Sequence, residues 1–207
     1  MTTEYNQNPN KYKLSFIGAD LALSESIKIA ELYLQLKNWD AVKEKVKTDN
    51  VLQARTQSTI QRVYQELSPR LAQLTDDQLE LLVEGTIPEQ KHLLWYAICN
   101  RYKLIQEFAI EVIHEKYMVM DFELTELNYD AFFNRKVDWH EELDEITSST
   151  KQKLKTVIFR MLREAEIITT DNLIVLTILS ERLIEVLAPA APLSYQIFPL
   201  QLSDIEG

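Results

Sequence analysis

The 207-residue sequence predicts an all-α protein: a helical bundle with an N-terminal helix-turn-helix unit and a C-terminal winged-helix-like unit that carries a small β-hairpin. Three observations carry that expectation. Only three glycines occur, so few backbone positions are free to adopt loop geometries. Apolar residues recur at i, i+3, i+4 and i+7 through most of the chain, and Ser, Thr, Asp or Asn stands before these periodic stretches where N-caps belong.

Ser24 opens the first helix, which carries Ile27, Ile29, Ala30, Tyr33 and Leu34. Asn38 caps a second that begins Trp39-Asp40-Ala41-Val42. After Thr48-Asp49-Asn50, the stretch from Val51 to Gln65 contains Arg55 and Arg62 and no acidic residue. Ile60, Val63, Tyr64, Leu67 and Leu71 form its apolar stripe, which leaves Gln61, Arg62 and Gln65 outward.

In the middle of the chain, Thr75-Asp76-Asp77-Gln78 reads as a capping box for a helix that ends near Gly85. Pro88 suits the first turn of the next helix, with Leu94, Trp95, Ile98 and Tyr102. Leu104 to Met120 reads as a third long amphipathic helix, and short polar links predict antiparallel packing of all three.

Toward the C-terminus, Asn128 is placed to cap a helix through Lys136, followed by another from about Asp138 to Ile146 with Trp139, Leu143 and Ile146 on one side. Thr147-Ser148-Ser149 forms a polar turn, and Ser149 or Thr150 caps a basic helix. Ile167-Ile168-Thr169 and Leu173-Ile174-Val175 then flank an Asp-Asn turn and read as the hairpin, which has no basic residue. Pro189, Pro192 and Pro199 break up the tail. The expected units are 1–74, 75–127, 128–188 and 189–207.

Function turns on the basic helix. Lys151, Lys153, Lys155, Arg160 and Arg163 fall within one stretch free of acids, although the chain carries a net charge of −10. Leu154, Val157, Ile158, Met161, Leu162 and Ala165 give it a core face, and stepping about 100° per residue places Gln152, Thr156, Phe159 and Arg163 opposite. Arg reads guanine edges, Gln reads adenine edges, and Lys or Thr holds phosphates, so the mixture points to duplex DNA. A solvated surface helix and a protein-docking helix remain open as alternatives, and an outward Phe159 favours the second. From Leu104 to Ile146 the chain carries twelve acidic against three basic side chains, a surface that bound DNA has to avoid. Ser58-Thr59-Ile60-Gln61-Arg62-Val63 echoes Ser149-Thr150-Lys151-Gln152-Lys153-Leu154, which makes the amino-terminal unit a second candidate for DNA.

The order Trp39, Asn50-Val51-Leu52-Gln53-Ala54-Arg55-Thr56, Ser58-Thr59, Arg70-Leu71, Ser149-Thr150-Lys151-Gln152-Lys153-Leu154 and Arg160-Met161-Leu162-Arg163-Glu164-Ala165 resembles the BrxA family. These are small accessory proteins of the BREX bacteriophage exclusion systems of bacteria. The resemblance spans roughly Ile17 to Leu187 and contains no catalytic signature. It implies an all-α protein with helix-turn-helix and winged-helix elements that binds double-stranded DNA beside other BREX defence proteins. The DNA face it implies includes Arg55, Gln57, Thr59 and Arg62, with Gln152, Lys153, Thr156, Arg160 and Arg163. Glu166 departs from the pattern, which prefers Gly there, so a less sharply defined helix end is expected. A protein-interaction adaptor without DNA contact and a winged-helix transcription regulator are the competing functions.

Several classes are disfavoured. No run of about 20 apolar residues exists and Met1 to Asn10 is polar, so neither a membrane span nor a secretory signal is expected and the location is cytoplasmic. Scattered glycines cannot build a phosphate-binding loop. The single Cys99 lies among aromatic and aliphatic residues and reads as a buried small hydrophobe. His92, His114 and His140 are far apart, so no metal site, cofactor, small-molecule substrate or enzymatic activity is expected.

Overall fold

The structure is a computed structural model that describes residues 11–18 and 20–201; the opening Met1 to Asn10 and the tail beyond Gln201 lie outside them. Its architecture is all-α, as expected. Helix α1 (Leu23–Leu36) is followed by α2 (Trp39–Thr48), where the Asn38 side chain accepts the Ala41 N–H at 3.0 Å as predicted. Helix α3 (Gln57–Leu71) begins six residues after Val51, because Asn50 and Gln53 adopt positive φ and the Asn50 side-chain oxygen Oδ1 accepts the Ala54 N–H at 3.0 Å. Thr56 is its cap.

Helix α4 (Asp76–Glu84) starts on the Thr75/Gln78 capping box and closes where the Gly85 N–H meets the Leu81 carbonyl at 2.8 Å. Helix α5 (Ile87–Arg101), with Pro88 in its first turn, is buried from Glu89 to Cys99 except at Lys91. A helix buried on all sides belongs in the centre of a bundle. Accordingly α5 packs on α1, α3, α4, the following α6 (Lys103–Phe108) and the basic helix. The expected third long helix is one rod interrupted by a π segment, Ala109–His114, before α7 (Glu115–Met118).

Helix α8 (Glu126–Val137) is capped by Thr125, and Asn128, expected as the cap, instead completes a capping box from inside the first turn. Helix α9 (Glu141–Asp144) is a single turn. It is shorter than expected because α8 closes through a turn in which the Trp139 N–H meets the Lys136 carbonyl at 3.1 Å. That turn leaves Trp139 85% exposed instead of beside the buried Leu143. Helix α10 (Ser148–Glu164) is the basic helix, capped by Thr147 two or three residues earlier than expected. Helices α11 (Glu181–Leu187) and α12 (Leu193–Gln196), separated by a 3-10 turn at Ala188–Ala190, form the tail that the prolines interrupt.

Among the described residues the expected hairpin is not a strand ladder. It is one antiparallel bridge, Ile168 to Ile174, with the Thr169 N–H on the Leu173 carbonyl at 2.8 Å and the Val175 N–H on the Ile167 carbonyl at 3.0 Å. A third segment, missed in the sequence because three residues carry no period, joins it: Glu123 bridges Leu173, and the Phe122 carbonyl accepts the Ile174 N–H at 2.7 Å.

One contiguous apolar core runs from Tyr12 and Phe16 to Leu200. The segment ahead of α1 is strapped across it by polar anchors. The Tyr12 N–H donates to Glu142 of α9 at 2.6 Å, the Leu21 N–H to Glu164 of α10 at 2.7 Å, and Arg70 of α3 donates to the Asp20 carbonyl at 2.8 Å. Helices near the two ends of the chain therefore share one strap.

Candidate nucleic-acid interface

The basic helix is more deeply seated than its sequence implies. Leu154, Lys155, Val157, Ile158, Phe159, Met161, Leu162 and Ala165 are buried, which covers well over half its circumference. The exposed remainder is a narrow strip of Ser149, Gln152, Lys153, Thr156 and Arg160, at i, i+3, i+4, i+7 and i+11. Phe159 does not point outward as expected. It is 4% exposed and its ring centre lies 6.5 Å from that of Phe108, which also meets Tyr129 and Phe132. Burying an aromatic side chain against Phe108, itself part of an aromatic cluster, outweighs the flat helical projection that placed it in solvent.

The five cations of this helix part company. Lys155 is 6% exposed, with Nζ 2.7 Å from Glu126 Oε2 and 3.2 Å from Asp130 Oδ2. Burial pushes its pKa down, but the two carboxylates outweigh it and the ammonium is held above its ordinary range. Lys151 is half-buried, donating to Asn134 at 2.8 Å and lying 4.9 Å above the Phe133 ring. Arg163, also half-buried, donates to Asn172 at 2.7 Å and covers the Phe159 ring. Lys153 and Arg160 are exposed, with Arg160 Nε 4.0 Å from Glu164. The Thr156 hydroxyl donates to the Gln152 backbone carbonyl at 2.9 Å, and both residues are exposed.

The amino-terminal candidates lie on α3 and the turn before it. Arg55, Gln57, Gln61 and Arg62 are exposed; the Gln57 amide reaches the Lys47 carbonyl at 3.3 Å, and Thr59 is half-buried with its hydroxyl 2.9 Å from that of Thr56. Here the short sequence echo acquires a physical form. Thr56 accepts the Thr59 N–H and touches the Ser58 hydroxyl at 3.0 Å; Thr147 accepts the Thr150 N–H and touches the Ser149 hydroxyl at 3.0 Å. From matching caps, α3 presents exposed Ser58, Gln61 and Arg62, while α10 presents exposed Ser149, Gln152 and Lys153. Both helices pack on α5.

Sequence reading overlooked Lys43, Lys45 and Lys47 on α2, whose charge is masked in the sequence by Asp40, Glu44 and Asp49. Lys45 pairs with Asp49 at 3.6 Å and Lys47 lies 3.9 Å from Glu44. Arg62 also borders a cleft of about 330 Å³ with Asp20, Glu25 and the Glu66–Arg70 ion pair, a lining in which acids outnumber cations and which does not suit an anion. Cys99 is buried, its thiol pushed up by burial, and no group of three or more His, Cys, Asp or Glu is placed to hold a metal among the described residues. No helix among them is long and apolar enough to cross a membrane.

The sequence model of the family BrxA matches residues 10–190. A BREX protein BrxA of Bacillus cereus (strain H3081.97) is 29% identical over 154 residues, covering 74% of this chain and 77% of its own length. A BREX protein BrxA of Escherichia coli O9:H4 (strain HS) is 27% identical, covering 75% of this chain and 73% of its own. The crystal structure of an uncharacterized protein from Magnetospirillum magneticum is similar with a TM-score of 0.72 at 22% identity, covering 91% of this chain and 98% of that one; at that identity the likeness concerns the fold.

Proposed function

The chain belongs to the BrxA family, whose members are BREX phage-defence proteins, and on that premise we propose that it is a double-stranded-DNA-binding, non-enzymatic accessory component of such a system, working in the cytoplasm beside other BREX proteins. The carrying observation is the exposed strip Ser149, Gln152, Lys153, Thr156 and Arg160 on α10. It combines side chains suited to base edges with others suited to phosphates. The matching strip on α3, with Arg55 ahead of it, makes a second contact of the same chemistry. In this reading α2 and α3 act as a helix-turn-helix unit. The segment 122–124, α8, α9, α10 and the Ile168–Ile174 pairing supply the order of a winged helix, in which α10 is the reading helix.

The burial of Lys155 and partial burial of Lys151 and Arg163, against the exposure of Lys153 and Arg160, refine the contact set. These three orient the helix, and Lys153 and Arg160 meet phosphate. Titration of a labelled 20-base-pair duplex with the full chain at two salt concentrations tests the proposal. Binding that weakens as salt rises is the expected result, and no binding at low salt overturns it.

A further inference from the structure

Between Asp171 and Glu181 lies an apolar run of which the core takes up Ile174 and part of Leu179 and leaves the rest exposed. Leu176 and Ile178 are 46% and 79% exposed, Leu173 and Val175 are also exposed, and no helix or turn occupies Val175 to Leu179. The backbone here is bonded on one side. The Val175 N–H donates to the Ile167 carbonyl and the Thr177 N–H to the Pro199 carbonyl, each at 3.0 Å, whereas the N–H groups of Leu176 and Ile178 donate to no group among the described residues. Ile174, whose N–H meets the Phe122 carbonyl, begins this second side, and past that point it is open among the described residues.

The neighbouring edge is treated differently. Segment 122–124 turns its own bonds inward: the Phe122 carbonyl accepts the Ile174 N–H, the Leu124 N–H donates to the Asn172 carbonyl at 2.9 Å, and just beyond it the Asn128 side chain accepts the Thr125 N–H at 2.8 Å. Among the described residues the backbone at Leu176 and Ile178 is left without such partners, beside exposed apolar side chains, the combination that takes up an added strand.

Charge selects the occupant. Asp171 and Glu181 bracket the run and Glu123 bridges Leu173 from the side; the sequence from 171 to 181 has no Lys or Arg, although Arg163 bonds the Asn172 side chain and Arg182 follows Glu181. None of these three carboxylates has an ion-pair partner among the described residues. Duplex DNA and anionic lipid are repelled by such a rim. A second copy pairing with the same run sets acid against acid in either strand direction. The chain's own tail beyond Gln201 carries Asp204 and Glu206 and is disfavoured likewise.

We propose that the open edge at Leu176 and Ile178 takes up an extended, basic segment of another protein, which adds to it as a strand. Backbone bonds at these two amides supply affinity, apolar contacts supply register, and Lys or Arg side chains meet Asp171, Glu123 and Glu181. The proposal neither requires nor tests duplex binding.

Amide hydrogen exchange of the full chain, followed by NMR, tests it with three acetylated, amidated peptides: Lys-Val-Lys-Val-Lys-Val-Lys, its twin with Glu in place of Lys, and a backbone N-methylated form of the first. The basic peptide is expected to slow exchange at Leu176 and Ile178 saturably, by at least about tenfold, and the other two peptides are expected not to. Equal effects from all three, or none from the basic one, overturn the proposal. So does slow exchange at both amides in the free protein: if it is independent of protein concentration the chain covers its own edge, and if it rises with concentration a second copy does. Ile178→Lys alters a solvent-facing side chain and sets a cation against the basic peptide, so its thermal melt should match that of the parent while the peptide effect weakens at least about tenfold.

Discussion

Lys155 lies 2.7 Å from Glu126, so the most buried cation of the basic helix is held by the first turn of α8. With Asp130 at 3.2 Å the contact joins the acidic middle of the chain to the basic helix that follows it. Acids and bases that look opposed in the sequence partly neutralise each other in the fold. Lys136, between Glu107 at 2.6 Å and Glu111 at 2.5 Å, does the same one layer away.

Replacement of Lys155 by Met therefore tests orientation, not phosphate contact. Glu126 keeps its solvent, but Asp130 is left half-buried beside an apolar side chain, and a loss of about 1–2 kcal/mol is expected in urea unfolding. Because the Lys155 pKa is raised in the folded state, its contribution is complete below the ordinary value of 10.5 and fades as pH climbs through the raised one. Parent and variant should thus converge in stability only above that value.

Phe159→Ala reports on the core. With the ring 4% exposed against Phe108, the substitution opens a cavity beneath α10 and is expected to cost about 3–5 kcal/mol. Equal urea midpoints for parent and variant would show the ring to be outside the core.

What the sequence disclosed, and what it hid, follows from the range of each interaction. The Asn38 cap, the Thr75/Gln78 box, Pro88 and the Gly85 stop are local hydrogen-bond and φ effects, readable within four residues. The rotation of α10 was not readable, because Phe159 is claimed by Phe108 and Lys155 by Glu126, partners far off in the chain. The exposed pair Lys153 and Arg160 was visible as charge, but only long-range packing separated it from Lys151, Lys155 and Arg163. Segment 122–124 stayed hidden because its bonds run to residues 172–174.

Acid sensitivity should centre on His92. Burial against Phe198 holds its pKa down at about 4, from an ordinary 6.5, so the folded protein keeps it neutral while the unfolded chain takes up a proton. This contribution is complete above pH 6.5, is lost as pH falls toward 4 and is level below that; over the whole window it amounts to about 3 kcal/mol. His92→Gln should flatten the stability profile between pH 6.5 and 5, measured by urea midpoints. An unchanged slope there would assign the proton uptake elsewhere.

Glu166 occupies a left-handed position, φ 60°, just after α10, where the Ile167 N–H reaches back to the Leu162 carbonyl at 2.9 Å. The helix end is thus sharply defined, contrary to the expectation drawn from the missing glycine. Glu166→Gly relieves the strained conformation but removes an exposed pair with Lys91 at 2.6 Å. Glu166→Ala keeps the strain and loses the pair. The Gly variant should therefore be about 1 kcal/mol more stable than the Ala variant by thermal melting.

Salt dependence distinguishes one DNA-contacting helix from two. Each phosphate neutralised contributes about −0.9 to the slope of log K against log salt, so Arg55, Arg62, Lys153 and Arg160 together predict a slope of roughly −3 to −4. Lys153→Ala with Arg160→Ala should make it shallower by about 2 and weaken binding on every duplex sequence alike. If α3 grips the same duplex, Arg55→Ala with Arg62→Ala subtracts a similar amount again; if α10 acts alone, that pair leaves the slope untouched. Gln152→Ala, which removes a base-reading amide and no charge, should preserve the slope and lower affinity only on preferred sequences. A slope unaltered by loss of Lys153 and Arg160 would remove α10 from the interface, whatever the strength of binding.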